Sequence, residues 1–126
     1  YLNNTRIRVS NKKNIKDALL VTGGPKQASK IKDKIFSEYI KVSKHVSNIR
    51  KFGSAALDIA YVACGRFDGY WERGLNSWDI AAGIVIVKES GGIICSLEKD
   101  MNPLLNGSIL AASDKIYEEF SSLLLT

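Results

Sequence analysis

One ionisable side chain stands at the head of an apolar stretch that any fold of this chain has to bury at least in part: in Trp78-Asp79-Ile80-Ala81-Ala82-Gly83-Ile84-Val85-Ile86-Val87, Asp79 is the sole charge. A carboxylate removed from water without a partner is costly, so it finds a donor or a cation. Two partners suit this position. One is the set of exposed N–H groups at the start of a helix that begins here; the other is a divalent ion, for which hard oxygen ligands favour magnesium.

Residues 79–89 read as a strongly apolar helix, closed by Gly91-Gly92. The rest of the chain alternates around it. Residues 6–10 read as an edge strand and 18–22 as a short buried one, ended by Gly23-Gly24-Pro25. A basic amphipathic helix over residues 26–44 turns Ala28, Ile31, Ile35, Tyr39 and Val42 inward. A brief strand at 46–49 follows, then a helix at 55–64 with Ala56, Leu57, Ala60, Tyr61 and Cys64 on one face, stopped by Gly65. Strands are expected at 67–72, 93–95 and 109–112, and a loop at 99–108. Ser113 is read as the cap of a closing helix that turns Ile116, Phe120, Leu123 and Leu124 inward. Strands alternating with helices of this length predict an α/β fold: a mixed, largely parallel sheet covered by helices on both faces.

At 126 residues the chain is the size of one domain with one core. It has no apolar run of membrane-spanning length, and no secretory leader pattern opens these residues. Cys64 and Cys95 each sit in an apolar segment, which predicts two buried thiols in a reduced, cytoplasmic setting. Tyr1-Leu2-Asn3-Asn4-Thr5-Arg6 reads as a hairpin turn entered from a preceding strand, which predicts that the chain is part of a larger protein. The net charge of +5 is concentrated: residues 26–51 hold eight Lys and Arg against two acidic residues. Such a segment can attract RNA or an acidic protein such as part of a transcription complex. The helical spacing of its apolar residues makes most of the lysines the wet side of a helix instead, and no aromatic interleaving accompanies them as base stacking requires.

Four groups of residues in order carry a family pattern: Phe52-Gly53-Ser54-Ala55-Ala56-Leu57-Asp58, Ala63-Cys64-Gly65-Arg66-Phe67-Asp68-Gly69-Tyr70-Trp71-Glu72, Trp78-Asp79-Ile80-Ala81-Ala82-Gly83 and Glu89-Ser90-Gly91-Gly92. Together they resemble the inositol monophosphatase family of magnesium-dependent phosphatases, with Ser90 in place of the usual alanine. The resemblance implies a layered α/β/α/β/α sandwich, of which residues 1–126 are the C-terminal αβα part. The family's first signature, Asp-Pro-x-Asp-Gly-Thr, supplies most metal ligands and does not occur in these residues.

By this resemblance Asp79 is the catalytic, metal-binding aspartate, and two or three Mg2+ ions serve the complete enzyme. Glu72, seven positions before Asp79, accepts hydroxyls of a small phosphorylated polyol, and Gly53, Ser54 and Ala55 contact its ring. A homodimer is implied as well. The chain alone is expected to be inactive. Relatives with this signature that act on nucleotide phosphates or fructose bisphosphate are an alternative, as is a non-catalytic module using the basic helix. Read without the resemblance, Asp58 is a helix-face residue, Asp68-Gly69 a turn, His45 an exposed imidazole, and Trp71 and Trp78 core anchors.

Overall fold

The computed structural model describes residues 6–23 and 32–125. Short apolar runs become strands and longer periodic ones become helices, in the order β1 (Leu19–Thr22), α1 (Lys32–Ser43), β2 (Asn48–Arg50), α2 (Ala55–Ala63), β3 (Gly69–Glu72), α3 (Ser77–Glu89), β4 (Ile93–Cys95), α4 (Pro103–Asn106), β5 (Ile109–Ala112) and α5 (Tyr117–Leu124). The strands form one sheet in the order β2-β1-β3-β5-β4. β1 pairs in parallel with β2 and β3, while β5 is antiparallel to both β3 and β4. Only β5 therefore runs against the others, and the sheet is mixed with a largely parallel sense.

Side chains alternate across each strand, so neighbours in sequence enter different layers. Leu20, Trp71, Leu110 and Ala112 pack with Val42 of α1 and with Phe120 and Leu124 of α5. Val21, Tyr70, Ile109 and Ala111 face the other way, onto Ile59 and Val62 of α2 and Ile80 and Val87 of α3. The sheet is thus covered on both faces. Trp71 anchors the first layer edge-on against Phe120, with ring centroids 5.8 Å apart and planes at 76°. Burial of side chains of this size contributes about 1.5–3 kcal/mol each.

Several expectations shift. Residues 6–10 form no strand; Val9 only donates its N–H to the Ser90 carbonyl at 3.1 Å, beside a helix end rather than a sheet edge. Within 99–108 a short helix, α4, is started by Asn102, whose side chain accepts the Leu104 N–H, and is ended by Gly107 at φ +70°. Ser113 does not cap α5: the chain turns for three more residues and enters the helix at Ile116, already in helical conformation. The inward face of α2 is Asp58, Ile59, Val62 and Ala63, not the predicted stripe, and Leu57 is 54% exposed. Apolar residues lie on nearly every side of that helix, so periodicity has no single face to choose. Both thiols are free and half-buried rather than buried. The part of the basic helix at 26–31, and the turn proposed at 1–5, lie outside the described residues.

The glycine of the Trp-Asp-x-Ala-Ala-Gly run has a packing reason. A Cβ on Gly83 would stand 2.5 Å from Cγ2 of Ile59, so its absence lets α3 lie directly on α2. Gly83→Val is expected to destabilise the chain by about 1–3 kcal/mol through overpacking. Urea unfolding monitored by circular dichroism checks this, and an unchanged midpoint would contradict the close approach.

Candidate active site

β1 has parallel neighbours on both sides, with the connection to β2 crossing one face through α1 and the connection from β2 to β3 crossing the other through α2. Strand order reverses there, and a crevice opens beyond the carboxyl ends of the strands. A cleft of about 340 Å3 lies at that point. All five residues selected from the sequence, Gly53, Ser54, Ala55, Glu72 and Asp79, line it, together with Gly23, Ala56 and Leu75. Gly53, Ser54 and Ala55 come from the corner between β2 and α2, Glu72 from the end of β3 and Asp79 from the first turn of α3. A wider cleft of about 490 Å3 between Arg6–Arg8 and the end of α3 holds a single carboxylate, Glu89.

Asp79 is the third helical residue of α3, behind Asn76 as the cap. Its Oδ2 accepts the Asn76 N–H at 3.2 Å, and its own N–H reaches the Asn76 carbonyl at 3.0 Å. Helix-terminal pairing thus engages one carboxylate oxygen; Oδ1 accepts no hydrogen bond among the described residues. Glu72 ends β3 with Tyr70 two residues earlier on the same face, and the Tyr70 hydroxyl donates to Glu72 Oε1. On the opposite wall Gly53 adopts φ +83°, a conformation that suits glycine, and nothing would crowd a Cβ there. Close packing is therefore not what the glycine at position 53 serves. Ser54 caps α2, its Oγ accepting the Leu57 N–H at 3.4 Å. The N-termini of α2 and α3 both border the cleft and add partial positive charge.

Asp58, read from the sequence as a helix-face residue, is 1% exposed. Neither of its oxygens accepts a hydrogen bond among the described residues. Burial, and then the charge of Glu72, push its carboxyl up to about 6. The Tyr70 phenol lies beneath the same charges and is also raised, first by burial, then by Glu72, Asp58 and Asp79. It therefore stays a donor. Asp58 had a signal in the sequence, since it falls four residues before Val62 and beside Ile59 on the stripe that α2 buries.

Arg73 and Glu38 were not singled out either. Arg73 grips Glu38 of α1 with two hydrogen bonds of 2.9 Å and Glu98 with one of 2.6 Å, and both partners of the first pair are nearly buried. This clamp ties α1 to the residue next to Glu72. Glu38 lies between Ile35 and Val42 on the inward stripe of α1, which is the sequence signal for a buried acid needing a cation. Asp68, read as part of a turn, lies in the bend just before β3 and is buried, its Oδ2 accepting the Leu19 N–H at 2.6 Å. Trp71 is the expected core anchor, but Trp78 is 76% exposed. His45 is exposed as expected.

The inositol monophosphatase family model matches residues 1–124. This chain belongs to the inositol monophosphatase family. It is 45% identical to an inositol-1-monophosphatase of Synechocystis sp. over 98% of its own length and 43% of the relative's. It is 40% identical to a Nus factor SuhB of Haemophilus influenzae, covering 94% of this chain and 44% of that one. Its fold matches the crystal structure of the extragenic suppressor protein suhB from Bartonella henselae with a TM-score of 0.92 and 38% identity, covering 98% of this chain and 48% of the other. The chain thus spans less than half the length of the curated relatives it matches.

Inositol monophosphatases imply a divalent metal, and the residues present fit a share of one. Asp79 offers an oxygen toward the cleft, with Glu72 on the same lining. Among the described residues no group of three or more His, Cys, Asp or Glu side chains is arranged to hold an ion. Magnesium takes six oxygens, so the remainder would come from water, substrate or further protein. No helix among the described residues is long and apolar enough to cross a membrane.

The buried Asp58 makes stability depend on pH with a definite sign. Its carboxyl is raised from 3.8 to about 6, so between those values the folded chain keeps a proton that the unfolded chain has lost. Stability contributed by this group therefore falls as pH rises through that window and is lowest above it. Asp58→Asn is expected to be more stable than the parent at pH 8, by at most about 3 kcal/mol, with the difference vanishing below pH 4. Thermal melts at both pH values check this, and equal midpoints at pH 8 would contradict it.

Proposed function

We propose that this chain is the C-terminal, substrate-recognising half of a magnesium-dependent phosphatase that hydrolyses a phosphate monoester of inositol or a similar polyol. The observation that carries the reading is the charge of the cleft: among the described residues its charged lining groups are the carboxylates Glu72 and Asp79, with Asp58 buried close by, and no described lysine or arginine lines it. Such a lining repels a phosphate unless cations enter with it. A site of this kind suits a phosphate ester that arrives with divalent ions.

Asp79 is the residue of this chain that would hold Mg2+. When bound, Mg2+ supplies a lowered pKa for a water molecule and stabilisation of the negative charge that grows on the ester oxygen. The chain's own side chains do the rest. Asn76 orients the Asp79 carboxylate through Oδ2, and the helix ends of α2 and α3 favour an anionic group between them. Glu72, steadied by Tyr70, accepts hydroxyls of the polyol ring. Gly53, Ser54 and Ala55 leave room for the ring to approach backbone, since none carries a bulky side chain.

Support for the half-enzyme part of the reading is the coverage of the relatives together with the lack of an Asp-Pro-x-Asp-Gly-Thr element in these residues. Residues 1–126 alone are expected to release no phosphate from inositol monophosphate with magnesium, and turnover comparable to a full-length relative would refute this. In the complete protein Asp79→Asn is expected to lower kcat by about a thousandfold or more while the melting temperature is kept. Near-normal turnover by that variant would remove Asp79 from the reaction. Glu72→Gln should instead reduce discrimination between inositol phosphates and other monoesters, measured as a ratio of kcat/KM values.

A further inference from the structure

We propose that Gly23 and Tyr70 set the substrate preference of this site by fixing the Glu72 carboxylate between them; the proposal rests on the phosphatase reading above. Gly23 follows β1, beside the end of β3. A Cβ built on it would overlap the Glu72 carboxyl carbon and both of its oxygens. Unlike Gly53, Gly23 does not adopt a left-handed φ. The φ of Gly23 does not demand glycine; a side chain there would instead push the Glu72 carboxylate from its place.

From beneath, the fully buried Tyr70 donates its hydroxyl to Glu72 Oε1. Tyr70 and Glu72 are two residues apart on a strand and share a face, so the phenol rises directly under the carboxylate. Its ring is held by the apolar layer of α2 and α3 and has little freedom to follow a Glu72 that moved. One contact thus restrains the carboxylate from the core and the other leaves space for it over the neighbouring strand. A ring bearing hydroxyls is rewarded by a carboxylate in a fixed place, whereas a monoester without them gains nothing from it. Gly23 and Tyr70 are positioning residues in this account: each acts through Glu72.

The test uses the complete protein with magnesium and compares kcat/KM for inositol 1-phosphate with that for p-nitrophenyl phosphate. In Tyr70→Phe, loss of a hydrogen bond to a charged group is expected to lower the inositol-to-nitrophenyl ratio about tenfold or more, chiefly through KM for the inositol ester. Gly23→Ala, which leaves Tyr70 intact and whose nearest neighbours are the carboxylate atoms, is expected to move the ratio in the same direction. It decides the matter if Tyr70→Phe does not fold. A ratio kept within twofold of the parent, or a parallel loss on both substrates, overturns the proposal while leaving the phosphatase reading in place. A parent protein that hydrolyses neither substrate overturns that reading, and this proposal with it.

Discussion

Three carboxylates, Asp58, Glu72 and Asp79, act on the buried Tyr70 phenol of β3, and among the described residues no basic side chain lines the cleft above them. Like charges gathered in a partly desolvated place repel one another, and the folded chain answers in three ways. Asp58 leans toward its protonated form, Glu72 takes the Tyr70 hydroxyl, and Asp79 takes a helix-terminal N–H. The two helix N-termini that border the cleft soften the repulsion further. What is left among the described residues is a negative cleft with helix N-termini at its rim, which fits the proposed entry of cations with the ligand.

The fold makes this gathering possible without strain. Parallel β1, β2 and β3 release the chain at one edge of the sheet, and the crossovers on opposite faces part there. Gly23, the Gly53–Ala55 corner and Glu72 are far apart in sequence and meet because their strands are neighbours. The Arg73 clamp to Glu38 and Glu98 then fixes the loop after β3 against α1 and the end of β4. Breaking a nearly buried pair of this kind leaves a charge without its partner, which is costly. Position of Glu72 and integrity of the sheet's other layer are therefore linked through adjacent residues.

Much of this was legible in the chain itself. The alternation of short apolar runs with periodic ones gave the order of strands and helices from 18 onward apart from the short α4, and the spacing of Glu72 to Asp79 fitted one turn between β3 and α3. Helix faces were less legible. α2 is apolar nearly all round, so the buried side was chosen by contact with the sheet and with Gly83, a tertiary fact. For the same reason Asp58 was read only as a helix-face residue, without its burial. α3 is apolar beyond what its contacts here use, with Val85 60% and Trp78 76% exposed, so hydrophobicity alone overstated its burial. The roles of Arg73 and Tyr70 depend on partners in other layers or on the pleat of a strand, and only placement in space reveals them.

The central claim is that the Asp79 carboxylate takes a divalent ion on the oxygen that the helix end leaves over, while Glu72 meets the polyol. A crystal structure of the complete protein grown with manganese and inositol 1-phosphate, with anomalous data collected at the manganese edge, tests it most directly. The account predicts an anomalous peak at about 2.0–2.3 Å from Asp79 Oδ1, with ring hydroxyls within hydrogen-bond distance of Glu72. An Asp79 bound solely by the Asn76 amide, with metal and ring located elsewhere, would contradict it.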